Sequence, residues 1–214
     1  MIIYWELEQR SDEWFEKRLG IPTASSFDKI ITPSGKASSQ AEDYANTLVA
    51  EWLMSAPVDI GQNYWMQRGA ELEDEAVAAY EFEHDMDTQT VGFVATDDGW
   101  IGASPDRMVA DDGIVEVKCP APHTHIGYLL KGELPGGYRA QVQGQLMVTE
   151  RQWCDWISYH PDMPMVVVRV YRDEEYIVQL RKLADKLTEQ IQDKRRLLSE
   201  RGVTGSANLS DQAA

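Results

Sequence analysis

Apolar residues recur at three-to-four spacing near the C-terminus and in short alternating runs through the middle of the chain. The two periods mark helices and strands respectively. Tyr176, Leu180, Leu183, Leu187, Ile191 and Leu198 form one stripe and predict a long helix from about Asp173 to Glu200. Tyr44, Leu48 and Trp52 stand at i, i+4 and i+8 and predict a helix from Gln40 to Met54. Two short helices are expected over Ser11–Leu19 and Thr23–Ile31, separated by Gly20 and Pro22. A long mixed one is expected over Tyr64–His84, and two more over His123–Lys131 and Gly137–Val148. Strands are expected at Thr90–Ala95, Trp100–Ala103, Arg107–Ala110 and Ile114–Lys118. Two more, Trp153–Tyr159 and Met165–Tyr171, flank a turn at His160–Pro164. Asp111-Asp112-Gly113 reads as a hairpin turn. The order predicts an α/β (α+β) fold, a central mixed sheet flanked by helices, in one domain over residues 1–202. Residues 203–214 are small and polar and read as a disordered tail.

Charge complicates any functional reading. The 214-residue chain carries 36 acidic and 20 basic side chains, a net charge of −16. A protein that simply coats nucleic acid is basic, because neutralising phosphates supplies its affinity. An acidic nucleic-acid enzyme therefore needs segregated charge or metal ions at the phosphate. No run reaches the roughly 20 apolar residues of a membrane span. The N-terminus lacks the features of a signal peptide. Cys119 and Cys154 stand at no metal-binding spacing and predict reduced thiols, so a cytoplasmic location is expected.

The chemistry concentrates in Ser104-Pro-Asp106 and Glu116-Val-Lys118. With Ala110 opposite Ile114, the expected hairpin pairs Asp106 with Lys118 and Met108 with Glu116. Strand alternation then puts Asp106, Glu116 and Lys118 on one face and Val115 and Val117 on the other. Two neighbouring carboxylates suit a hard divalent cation, and a nearby ammonium suits an attacking water or a developing phosphorane charge. A solvated hairpin remains the alternative. On the Tyr64–His84 helix, Glu73 falls among Met66, Ala76, Val77 and Tyr80, while Glu71, Asp74 and Glu75 point elsewhere. A carboxylate on an apolar stripe calls for a cation or a metal. Arg18 precedes a helix start at Thr23, with Ser25 and Ser26 beside it, which suits a phosphate; ordinary capping is the alternative. Gln141 and Gln145 share a helix face and read as surface. His123 and His125 read as solvated. Arg169, Arg172 and Lys194-Arg195-Arg196 are either DNA-facing or solvated.

Taken in order, Trp14-Phe-Glu-Lys-Arg18-Leu-Gly-Ile-Pro-Thr-Ala-Ser25, Gly69-Ala-Glu-Leu-Glu73, Ser104-Pro-Asp106, Glu116-Val-Lys-Cys-Pro120 and Tyr138-Arg-Ala-Gln141-Val-Gln143 resemble the lambda-exonuclease-type alkaline exonucleases. These are the YqaJ-like viral recombinases of the PD-(D/E)xK nuclease superfamily. The resemblance implies a restriction-endonuclease-like core. It implies two Mg2+ ions, with Mn2+ able to substitute, held by Asp106, Glu116, the Val117 carbonyl and Glu73. It gives Lys118 the attacking water, Gln141 a supporting role, and Arg18, Ser25 and Ser104 the terminal 5′-phosphate. It further implies 5′-to-3′ digestion of double-stranded DNA ends, a ring-shaped homotrimer and a single-strand annealing partner. Ala121-Pro-His-Thr124 departs from the family pattern and supplies no evident base.

Overall fold

A computed structural model describes residues 1–58 and 64–205, with backbone alone at 64–66 and 70. Met66, assigned to the apolar stripe, and residues 206–214 of the expected tail lie outside the described side chains and residues. The chain runs β1 (Ile2–Tyr4), α1 (Asp12–Arg18), a 3-10 helix (Ala24–Lys29), α2 (Ala41–Met54) and α3 (Tyr64–His84). It continues through β2 (Thr88–Gln89), β3 (Phe93–Ala95), β4 (Gly102–Ala103), β5 (Arg107–Val109) and β6 (Gly113–Lys118). There follow α4 (Pro122–Lys131), α5 (Arg139–Thr149), β7 (Trp153–Ser158), β8 (Val166–Tyr171) and α6 (Glu174–Glu200).

The central sheet has the order β2-β5-β6-β7-β8. It is mixed: β6 and β7 run parallel, joined by the α4–α5 crossover, and the other pairs are antiparallel. A separate antiparallel sheet, β1-β3-β4, was not expected; β1 is three partly exposed residues, too short to show a period. Among the described residues no helix is long and apolar enough to cross a membrane.

One face of the central sheet, with Met108, Ile114, Cys154 and Trp156, packs against α5, α2 and α6 in the larger core. The stripe on α6 and the trio Tyr44, Leu48 and Trp52 on α2 are part of it. Packing is close where α5 meets the 3-10 helix, since a Cβ on Gly144 would lie 2.2 Å from the Phe27 ring. The opposite face, with Val109, Val115, Val117 and Ile157, packs on Ala76, Val77 and Tyr80 of α3. Two tyrosines tie α3 to the sheet: Tyr80 donates to the buried Asp155 at 2.7 Å, and Tyr159 donates to Glu75 at 2.6 Å. Asp155 also takes both arms of Arg169.

The β5–β6 hairpin differs from expectation by two residues. Arg107 stands opposite Val115, Met108 opposite Ile114 and Val109 opposite Gly113. The turn is Ala110–Asp112, with Ala110 itself left-handed at φ 45°. Gly113, expected as the turn glycine, lies inside β6. A Cβ there would sit 2.1 Å from the Trp153 ring, so the glycine serves packing rather than the turn. An even slip preserves the faces. Asp106 is thereby carried opposite Glu116 instead of Lys118, and Val115 and Val117 stay on the α3 side.

Candidate active site

Asp106 sits just before β5, where its backbone N–H donates to the Val115 carbonyl at 3.1 Å. Its carboxylate accepts the Val117 N–H at 2.6 Å, taking the place of a strand partner that β5 is too short to supply. N–H and C=O of one strand residue point to the same edge. The Val117 carbonyl therefore also faces Asp106. Glu116, only 2% exposed, projects under α5. Lys118 and the Gln141 amide (2.6 Å) donate to one of its oxygens, and the Gln145 amide donates to the other. The face that carries these groups is thus roofed by a helix, and the solvated-hairpin alternative falls.

Burial, with Glu116 and Glu73 nearby, lifts the Asp106 carboxyl well above the usual carboxylate range. Burial opposes the Lys118 ammonium, but Glu116 and Asp106 outweigh it and raise its pKa, so Lys118 stays charged. Asp106 and Glu116 thus stand together with Lys118 beside them. Paired hard oxygens are the donor set that suits a divalent cation of the magnesium class. Among the described residues no three His, Cys, Asp or Glu side chains close on one point as a ready-made cage. The reason is visible at Glu73. Its side chain, 15% exposed, accepts from Arg10 and lies 3.8 Å from Arg107. Glu73 thus reaches the neighbourhood of Asp106 from α3 but is held by arginines. Its neighbours Glu71, Asp74 and Glu75 are exposed, and Asp74 and Glu75 also accept from Arg107 and Tyr159.

The second cluster forms around Arg18. Its guanidinium donates to Ser104 at 3.0 Å, Ser25 at 3.3 Å and Thr23 at 3.4 Å, and stacks 4.0 Å over Trp14. The Trp14 indole N–H donates to the same Ser104 hydroxyl at 3.0 Å. Thr23 makes no side-chain capping bond to the 3-10 helix that follows it. The hydroxyls are thus spent on Arg18, against the capping alternative. Burial lowers the Arg18 pKa to about 10, still charged at neutral pH.

Other expectations need correction. Gln145 is buried and bonded to Glu116 rather than on the surface, and sequence reasoning missed it; its i, i+4 spacing from Gln141 was the available signal. Thr23 was missed as well. His125 is fully buried, bonded to Ser158 (2.7 Å) and the Pro164 carbonyl (3.0 Å), because Pro122 starts α4 and turns that side inward. Arg195 is buried between Trp52 and Trp100 and donates to the Gly20 carbonyl. Arg172 pairs with Glu174 and the Leu146 carbonyl, and Lys194 with Glu42.

Known proteins match this arrangement. The family model of the YqaJ-like viral recombinase domain matches residues 13–152. An alkaline exonuclease from Laribacter hongkongensis is similar over 90% of this chain and 98% of its own, at 32% identity and a TM-score of 0.81. The same figures hold for its complex with dAMP. A phage related exonuclease from Haemophilus somnus 129PT shares the fold, at 17% identity, 85% and 96% coverage and a TM-score of 0.63. Comparison with curated proteins gives no match. With the family model spanning well over half of the chain and an alkaline exonuclease matching nearly end to end, the chain belongs to the YqaJ-like viral recombinase family and is a nuclease of the alkaline-exonuclease type.

Proposed function

We propose that the chain is a magnesium-dependent 5′-to-3′ exonuclease on linear double-stranded DNA, releasing 5′-mononucleotides and leaving a 3′ overhang for recombination by strand annealing. The observation that supports this best is the convergence of Arg18, Ser25 and Ser104 on one point, two residues along the chain from Asp106. A half-buried guanidinium fork with hydroxyls around it suits a terminal phosphate monoester. Set beside the acids, it selects a chain end over an internal bond. The dAMP bound to the Laribacter enzyme is the kind of product such a reaction releases.

Asp106, Glu116 and the Val117 carbonyl are the groups that would hold magnesium, with Glu73 joining from α3. Bound there, the ion supplies positive charge to the phosphate and acidifies water. Lys118 remains an ammonium, so it orients the attacking water and meets the charge that develops on the phosphoryl oxygens; it does not act as a base. Gln141 and Gln145 hold the Glu116 carboxylate in one rotamer. The same reading includes a ring-shaped homotrimer, an annealing partner and a bacterial cytoplasm as the site of action. An acidic exterior around a locally positive bore accounts for the charge of −16.

The test is digestion of linear duplex bearing a 5′-phosphate, its 5′-hydroxyl counterpart and a closed circle, each with magnesium, calcium or chelator. Rapid loss of the 5′-phosphorylated strand with magnesium alone is the expected result. Equal cutting of the closed circle overturns the exonuclease reading.

A further inference from the structure

The segment ahead of α1 lies outside the region the family model matches and has no part in the site so far. The Gln9 amide donates to the carbonyls of Val91 at 2.8 Å and Pro105 at 3.0 Å. Pro105 stands between Ser104 and Asp106. Arg10 follows in a left-handed backbone conformation at φ 71°. Ser11 then caps α1 by accepting the Trp14 N–H, and Trp14 and Arg18 return to Ser104. Residues 9–18 thus straddle the Ser104-Pro105-Asp106 turn. Arg18 stands on its Ser104 side. Arg10 stands on its Asp106 side, where it donates to Glu73, whose charge acts on Asp106.

Two features show that the pair with Glu73 does not by itself account for Arg10. A non-glycine residue in the left-handed region is strained. The Arg10 side chain is 50% exposed, and ion pairs that open to water contribute little. Glu73 also has a more buried arginine in Arg107. What the strained turn achieves is to hold a half-exposed guanidinium beside the acids, on a strongly acidic chain, where the scissile strand must arrive.

We propose that Arg10 is a contact to the DNA backbone, exchanging the Glu73 carboxylate for a phosphate next to the scissile bond, on the side of the Ser-Pro-Asp turn opposite Arg18. A guanidinium can make that exchange, because carboxylate and phosphate present similar oxygen pairs to it. This rests on the nuclease reading above.

The test is binding of a linear 5′-phosphorylated duplex, labelled at its far end, followed by fluorescence anisotropy with calcium in place of magnesium across a KCl series. Losing one phosphate contact lowers the slope of log affinity against log salt by about 0.9. Arg10→Ala is expected to show that drop and to bind several-fold more weakly at low salt. Arg10→Lys, which keeps the charge, is expected to retain the wild-type slope. Thermal melting of both variants identifies any that is misfolded, and Arg10→Gln then stands in for Arg10→Ala. An alanine or glutamine variant with the wild-type slope, whatever its affinity, overturns the role of Arg10 alone. A wild-type chain that binds no duplex at any salt overturns the nuclease reading, and the role of Arg10 with it.

Discussion

Gln145 donates its side-chain amide to the Glu116 oxygen that Lys118 and Gln141 leave unclaimed, while its side-chain carbonyl oxygen, buried, finds no donor among the described residues. A buried acceptor without a partner is costly, and its retention points to the value of the donated bond. Residues that orient a metal-binding carboxylate typically change metal affinity or activity by about 10–100-fold. Gln145→Leu is expected to cut the magnesium-dependent rate within that range and to raise the magnesium concentration for half-maximal rate. Manganese binding by calorimetry checks the second point; unchanged affinity removes Gln145 from the site.

Asp106→Asn separates stability from catalysis. Asparagine still accepts the Val117 N–H, but the repulsion with Glu116 and Glu73 disappears. The raised pKa means that the folded state binds this proton more tightly than the unfolded one. Stability of the metal-free protein therefore falls as pH rises from the unfolded carboxylate value, about 3.9, to the raised folded value. At neutral pH the variant is expected to be inactive yet to melt higher in chelator. A gain of about 1 kcal/mol corresponds to roughly 2–4 °C for a chain this size. A lower melting temperature would contradict the electrostatic account.

Arg18→Ala should erase preference for the 5′-phosphate. Hydrogen bonds to charged groups contribute about 1.5–3 kcal/mol, a factor of roughly 10–100. The rate on 5′-phosphorylated duplex is expected to drop to that on 5′-hydroxyl duplex, with little change on the latter. Ser104→Ala removes one acceptor of Arg18 and is expected to weaken the preference less. Competition between the two substrates in one tube measures both effects directly.

His125 predicts a pH dependence of stability. Burial, with His160 nearby, depresses its pKa, so the unfolded state takes up the proton first. Stability is fully present above the unfolded value of about 6.5 and is lost as pH falls through it towards the folded value. Melting temperature should decline below about pH 6.5, and His125→Gln should flatten that decline. A difference in melting temperature between wild type and His125→Gln that stays constant from pH 7.5 to 5.5 would rule this out.

Tyr80→Phe tests how α3 is held. It strips one donor from the buried Asp155 and leaves Arg169 as its remaining partner. A loss of about 1–2 kcal/mol is expected by urea unfolding. Because α3 also bears Glu73, magnesium affinity should fall as well; full retention would show that the remaining contacts of α3, the bond from Tyr159 to Glu75 among them, hold Glu73 in place.

Helical and strand periods were legible in the residue order, because each reports which side of a single element is dry. So were the shared face of Asp106, Glu116 and Lys118, which parity alone decides, and the blocks that mark the family. Contacts between distant segments were not. The hairpin slipped because Gly113 answers to the Trp153 ring across the sheet, not to its own turn. Gln145 and His125 looked wet because their partners, Glu116 and Ser158, are 29 and 33 residues away. Arg10 meets Glu73 across 63. A local pattern states what a side chain prefers; which charge, ring or carbonyl it meets is settled only when the elements pack together.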